Sequence, residues 1–273
     1  INEETGLLEI GVHIADPSYF IEKDSEIDKE ALNRTTTVYL VHKNIPMLPR
    51  NLCDNIISLL PQKDRVALSC TFRIFFDGSL DLNFTPKFYL SIINSKSKLS
   101  YELAQRILDN ENIQFEDLSE NDGTRPKDKE TFEKIVDSLK NLHKLTKLVR
   151  SQRIDSGSLI IENKEINFAI NEDNKPINFS LKTKLQTHQL VEELMLIANK
   201  LSAEFIYNNI QNLALIRKHP LLNESKYQDM QRYFKNNKIN VDFEDTQELN
   251  EMLAKLEKQD RNKYIVYFYF YFY

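Results

Sequence analysis

The chain has 273 residues, 41% of them hydrophobic and 28% charged. That is room for one large domain or two small ones around a packed core, and it argues against wholesale disorder. Acids outnumber bases 41 to 36, a formal net charge of −5, which excludes coating of nucleic acid by bulk positive charge but not a binder that gathers its bases locally. With 5 glycines, a glycine-rich phosphate cradle is nearly excluded as well.

The first third reads mostly as strands. Leu7–Ile14 is an apolar run that ends at Asp16-Pro17, where proline cannot continue a ladder. Thr35–Val41 is rich in β-branched residues, and Ile45–Pro49 is a proline-pinned loop. Val66–Phe76 and Leu80–Ile93 are two further strands joined by Asp77-Gly78, a hairpin turn signal. From Ser100 the period turns helical, with Ser100 as cap and Leu103, Ala104 and Ile107 on one side. Ser119–Lys129 is a polar loop holding Gly123 and Pro126. Lys129–Arg153 reads as a long amphipathic helix, with Phe132, Ile135, Val136, Leu139, Leu142, Thr146 and Val149 along one side. Two short strands follow, Glu165–Ile170 and Pro176–Ser180, around an Asn-Glu-Asp-Asn turn. Helix returns at Gln186–Asn209, Ser225–Lys235 and Thr246–Glu257. There is no internal repeat. The pattern predicts one α+β domain that continues across the polar loop.

Cys53 and Cys70 lack a CxxC partner and a nearby His pair, so two buried free thiols are expected, with neither zinc nor a disulfide framework. No basic segment followed by an apolar run marks a secretory signal. The chain opens on Ile1 and not on Met, the expectation for a fragment. The aromatic tail Tyr264–Tyr273 falls short of the roughly 20 residues a membrane-spanning helix needs, and no membrane partner is expected.

The helix at Gln186–Asn209 is the most informative element. Leu190, Leu194, Ile197, Leu201 and Phe205 form one apolar stripe, and Met195, Leu196, Ala203 and Ile206 make the opposite side apolar too. A helix apolar nearly all round is expected to be central and buried. Glu192 and Asn199 then lie seven residues apart on its second face, and a buried carboxylate and amide both need partners. Glu192 either bridges to a neighbouring strand or lines a polar channel with Asn199. Glu193 borders the first stripe and reads as structural.

Lys140, Lys144 and Lys147, continued by Arg150 and Arg153, make a basic run, and Arg217-Lys218-His219 makes a second cluster. Both fit solvated faces, and both could also gather phosphates. Tyr101, at a helix start after a strand, either fills the core or projects into a groove where a base could stack on it. The histidines show no paired metal spacing, and neither GxSxG nor GxxxxGK[ST] occurs. From the residues alone, no complete catalytic site can be assembled.

A collinear series of segments goes further. Glu9–Asp16 (EIGVHIAD) with Ser18-Tyr19-Phe20 resembles the "VHIADVSxFV" segment of the RNB domain, the ribonuclease II and ribonuclease R family. The likeness continues through Ala31–Thr35, Val38–Leu40, Ile45–Pro49, Ser58–Pro61, Asp64-Arg65 and Lys98–Tyr101. Beyond these come Arg150–Leu159, Val191–Asn199 and Leu215–Pro220. The wording is most similar to the eukaryotic, exosome-independent Dis-three-like branch.

The resemblance implies a partial RNB catalytic domain over residues 1–263, an α+β fold with a mixed or antiparallel sheet packed with helices around an RNA channel. It implies a processive 3′→5′ exoribonuclease acting on single-stranded RNA, with aspartates holding Mg²⁺ to activate water. Tyr101 falls on the tyrosine that clamps terminal nucleotides and Glu192 on the glutamate that reads the ribose 2′-OH, a contact that prefers RNA to DNA. Asn199, Arg153, Arg217 and His219 complete the expected RNA-binding set. A cytoplasmic monomer without DNA partners is expected.

The resemblance places the Mg²⁺-binding aspartates upstream of Ile1 and a phosphate-binding arginine segment downstream of Tyr264, where residues 264–273 resemble nothing in the family. Ile57 replaces a usual cysteine, and Ile161 stands where bacterial members carry a stacking Phe. The accessory cold-shock and S1 domains are not expected in this chain. The chain alone is therefore expected to be a poor catalyst, and the alternative is a catalytically dead RNB-like protein that binds RNA or a partner.

Overall fold

The computed structural model describes residues 6–109, 111–158, 160, 166–171, 175–181, 184–217, 224–236, 248 and 250–252. The chain divides into two compact units, one of residues 1–148 and 166–205, the other of residues 149–165 and 206–273.

The first unit is built on strand β1 (Leu7–Ala15), strand β4 (Asp64–Phe75) and strand β5 (Lys87–Asn94), an antiparallel sheet in the order β1-β4-β5. Because side chains alternate, register decides which residues share a face. Leu8 pairs Ile74 and Ile10 pairs Phe72. With Cys70 these are buried, down to 1% exposure at Phe72 and none at Ile74. Towards the other end of the same face the covering stops. Ile14 lies opposite Leu68, and Leu68 opposite Leu90, yet these three and Ile92 are all exposed.

The opposite face carries a polar relay. His13 Nδ1 lies 2.7 Å from Ser69 Oγ, Ser69 Oγ lies 2.5 Å from Ser91 Oγ, and Ser91 donates to the Ala67 carbonyl. Ser69 is fully buried, so its hydroxyl needs both partners. The imidazole folds back over Gly11, where a Cβ would meet Nε2 at 2.6 Å. Burial lowers the His13 pKa, and burial also lowers that of His143, helped by Lys147 and opposed by Asp109. A depressed folded-state value means that the unfolded chain takes up protons first. The contribution is therefore complete above about pH 6.5, the ordinary imidazole value, and is lost as pH falls through the folded-state pKa. Thermal unfolding should show this loss, and His13→Asn should remove part of it while His143 keeps the rest. A pH profile unchanged by His13→Asn would show that the relay carries no such linkage.

The Asp77-Gly78 turn forms as expected, with Gly78 at φ +88° and its N–H donating to the Phe75 carbonyl. The strand expected over Leu80–Ile93 is shorter. Ile74 makes one bridge to Leu80, then Asp81 accepts from the Asn83 N–H in a second turn, and Pro86 precedes β5. The Thr35–Val41 strand shrinks to strand β2 (Val38–Tyr39), which pairs strand β3 (Asn44–Ile45) and is wholly exposed. Helix α1 (Glu26–Arg34), where no helix is expected, is capped by Ser25, whose Oγ accepts from the Asp28 N–H.

Helix α2 (Tyr101–Leu108) begins at its predicted cap, with Ser100 Oγ accepting from Leu103 N. It packs through Ile107 against Leu118 and Phe132, the latter on helix α3 (Lys129–Asp155). The polar loop between them is tied down. Gly123, at φ +78°, accepts from Lys98 N, Thr124 O accepts from Ser97 Oγ, and Arg125 O accepts from Gln62 Nε2.

Strands β6 (Ile166–Ile170) and β7 (Pro176–Leu181) pair antiparallel and lead to helix α4 (Gln186–Ile210). The α+β expectation holds, and among the described residues every sheet is antiparallel. In the second unit, helix α5 (Glu224–Asn236) buries Phe234, and Asn250 accepts from Ile160 N and donates to the Ser158 carbonyl. The stretch expected as helix over Thr246–Glu257 lies largely outside the described residues, as does residues 264–273. Cys53 and Cys70 are free. Only Cys70 is buried, which raises its thiol pKa, while Cys53 is half-buried. Among the described residues no helix is long and apolar enough to cross a membrane.

Candidate nucleic-acid interface

Tyr101 is the first residue of α2 and is 41% exposed, not packed into the core. Its position is set from α4. Buried Thr187 donates its hydroxyl to the Tyr101 carbonyl at 2.9 Å and its N–H to Gln105 Oε1 at 3.3 Å. Two hydrogen bonds therefore join the starts of the two helices. His188, next in sequence, stacks on the Tyr101 ring with centroids 4.0 Å apart and planes within 19°. Its Nδ1 accepts from the Leu185 N–H.

One turn further along α4 stands Glu192, half-buried and paired with Lys184 at 3.3 Å. At about 100° per residue, His188, Glu192, Met195 and Asn199 form one strip on the flank of the helix. The structure corrects the expected burial of this strip. The fully desolvated carboxylate is Glu193, 1% exposed, while Asn199 is exposed. The reason is that α4 is covered on one arc only, through Thr187, Leu190, Glu193, Ala198 and Leu201. Val191 and Leu196 stay exposed, so apolar residues on both sides did not make a central helix.

The structure thus links Tyr101, through its stack on His188, to the strip of α4 that carries Glu192, and Asn199 follows two turns on from Glu192. Arg153, in the last turn of α3, and exposed Arg217 belong to the second unit. His219 lies outside the described residues. Sequence reasoning passed over His188. The signal was present, because His188 precedes Glu192 by four residues and so shares its helix face.

A partly exposed aromatic residue suits stacking on a base, and a carboxylate one turn along α4 from its stacking partner suits acceptance of a ribose hydroxyl proton. For a metal, the described residues hold no group of three or more His, Cys, Asp or Glu that could bind one. Buried Asp16 is taken up by Ser18, whose N–H and Oγ both donate to its Oδ1.

Comparison with known proteins addresses the chain as a whole. The model of the RNB domain matches residues 1–271. Human exosome complex exonuclease RRP44 is 34% identical over 255 residues, covering 93% of this chain and 24% of that protein. DIS3-like exonuclease 2 of Caenorhabditis elegans is 38% identical over 226 residues, covering 82% of this chain and 26% of that protein. The chain therefore spans about a quarter of the length of these relatives. Among solved structures, Mycoplasma genitalium RNase R in complex with ribose-methylated single-stranded RNA superimposes with a TM-score of 0.76 at 26% identity. That match covers 92% of this chain and 37% of the other.

Proposed function

Since the chain belongs to the RNB domain family, we propose that the protein is a 3′→5′ exoribonuclease and that Tyr101 and Glu192 grip the terminal nucleotides of single-stranded RNA. The observation that carries this reading is the helix junction, where a partly exposed tyrosine stacks on His188 and the Glu192 carboxylate stands one turn along α4 from His188. A base stacks on the ring, and the Glu192 carboxylate accepts a hydrogen bond from the 2′-OH. DNA offers no such donor, so this hydrogen bond is missing from a DNA complex. Arg153, Arg217, His219 and Asn199 are proposed to hold phosphates and sugars along the strand. Their charge is local, which fits a chain with a net charge of −5.

By family resemblance hydrolysis would depend on Mg²⁺, which activates water for attack on the phosphodiester. The described residues do not fit that ion, so their part is to bind and orient. Cytoplasmic RNA decay by a monomer is the proposed setting.

The test compares binding of a labelled single-stranded RNA and the DNA of the same sequence to the whole protein, in EDTA. RNA should bind more tightly, and Glu192→Ala should narrow the RNA-to-DNA ratio by about 10-fold, the worth of a hydrogen bond to a charged acceptor. The ratio is the proper readout, since the substitution also releases Lys184 from its ion pair and can strengthen binding to any phosphate chain. An unchanged ratio would remove the ribose role from Glu192. Release of mononucleotides from the 3′ end by the wild-type protein with Mg²⁺ completes the test. Tight binding without release would identify a catalytically dead relative.

A further inference from the structure

We propose that His188 is a positioning residue for Tyr101, backing one face of the phenol ring so that the other face is held ready for a ribonucleotide. The inference rests on the reading that Tyr101 contacts RNA. A tyrosine at the first position of a helix, 41% exposed as a residue, has little of its own helix to fix its rotamer. Here the fixing comes from outside that helix. The imidazole lies 4.0 Å from the ring at 19° to its plane and covers one π-face, while the residue as a whole stays 41% exposed.

The imidazole is itself held. Its Nδ1 accepts from the Leu185 N–H at 3.2 Å, and the neighbouring Thr187 has its hydroxyl and its N–H both engaged on α2. The plane of His188 is thereby tied to the backbone that carries Tyr101. Glu192 follows on the same strip of α4, so one rigid helix face sets the aromatic platform and the carboxylate together. A side chain ordered before the ligand arrives loses less freedom on binding.

The test uses the whole protein, the labelled single-stranded RNA and EDTA. His188→Asn keeps an acceptor for the Leu185 N–H but has no ring, and should weaken RNA binding by about 3- to 10-fold, the cost of leaving one such side chain to be ordered. His188→Phe keeps the ring and loses the acceptor, and should restore most of the affinity. In a Tyr101→Ala background, His188→Asn should cause no further loss, because the two residues act as one. If His188→Asn does not fold, His188→Leu, of similar bulk without an aromatic face, takes its place. Equal losses in the Phe and Asn variants, or additive losses in the double variant, would overturn the positioning role. Unchanged binding in His188→Asn with a loss in Tyr101→Ala would overturn this inference alone. Unchanged binding in Tyr101→Ala would overturn the RNA-contact reading and the inference with it.

Discussion

Phe72→Ala should lower the stability of the chain by about 3–5 kcal/mol, the range for truncating a buried aromatic residue in a core. Phe72 sits on the central strand of the three-stranded sheet, opposite Ile10 and on the same face as Cys70 and Ile74, and is 1% exposed. A side chain enclosed in this way leaves a cavity that neighbours fill only in part. Leu68 offers a control on the same strand and face, since it is 46% exposed. Leu68→Ala should cost less than about 1 kcal/mol, as expected away from buried packing. Urea unfolding followed by circular dichroism measures both. Similar losses in the two variants would mean that this face is not anchored at the Phe72 end.

Gly123→Ala is the second substitution with a large expected cost. At φ +78° an alanine pays about 1–2 kcal/mol for the left-handed backbone. Its Cβ would also overlap the Pro61 ring, adding the about 1–3 kcal/mol typical of overpacking. Pro61 cannot yield easily, because the next residue, Gln62, is held by hydrogen bonds at its backbone and at its side chain. The urea midpoint should fall accordingly, and Pro61→Ala should return the steric part but not the backbone part. If Pro61→Ala returns nothing, the close approach is not what limits this position.

Much of the frame was legible because its signals are local. The β1 run, the Ser100 cap and the amphipathic periodicity of α3 each depend on a few neighbouring residues, and each formed within two residues of its expected limits. Helix α1 was missed although Ser25 and Asp28 spell a capping pattern. Its apolar residues Ile27 and Leu32 stay exposed, so no periodic stripe announced it. The strand from Leu80 was overextended because β-prone residues say nothing of the turn that Asp81 makes with Asn83.

The candidate site was legible in its residues but not in its geometry. Family resemblance and helix arithmetic both set Glu192 apart. Which of Glu192 and Glu193 is buried depends on what packs against α4, and a helix with apolar residues on two sides carries no such information. His188 was likewise visible only as one of the 5 histidines, because its stacking partner lies 87 positions away in sequence, on α2.

The double engagement of Thr187 has a further consequence, for tolerance of length change. The register between α2 and α4 is set where the helices begin, by the Tyr101 carbonyl and the Gln105 side chain, not by the chain that leads from β7 into α4. Residues inserted ahead of Lys184 would leave those two bonds in place. The aromatic face and the carboxylate can therefore keep their spacing while the connection before them grows or shrinks.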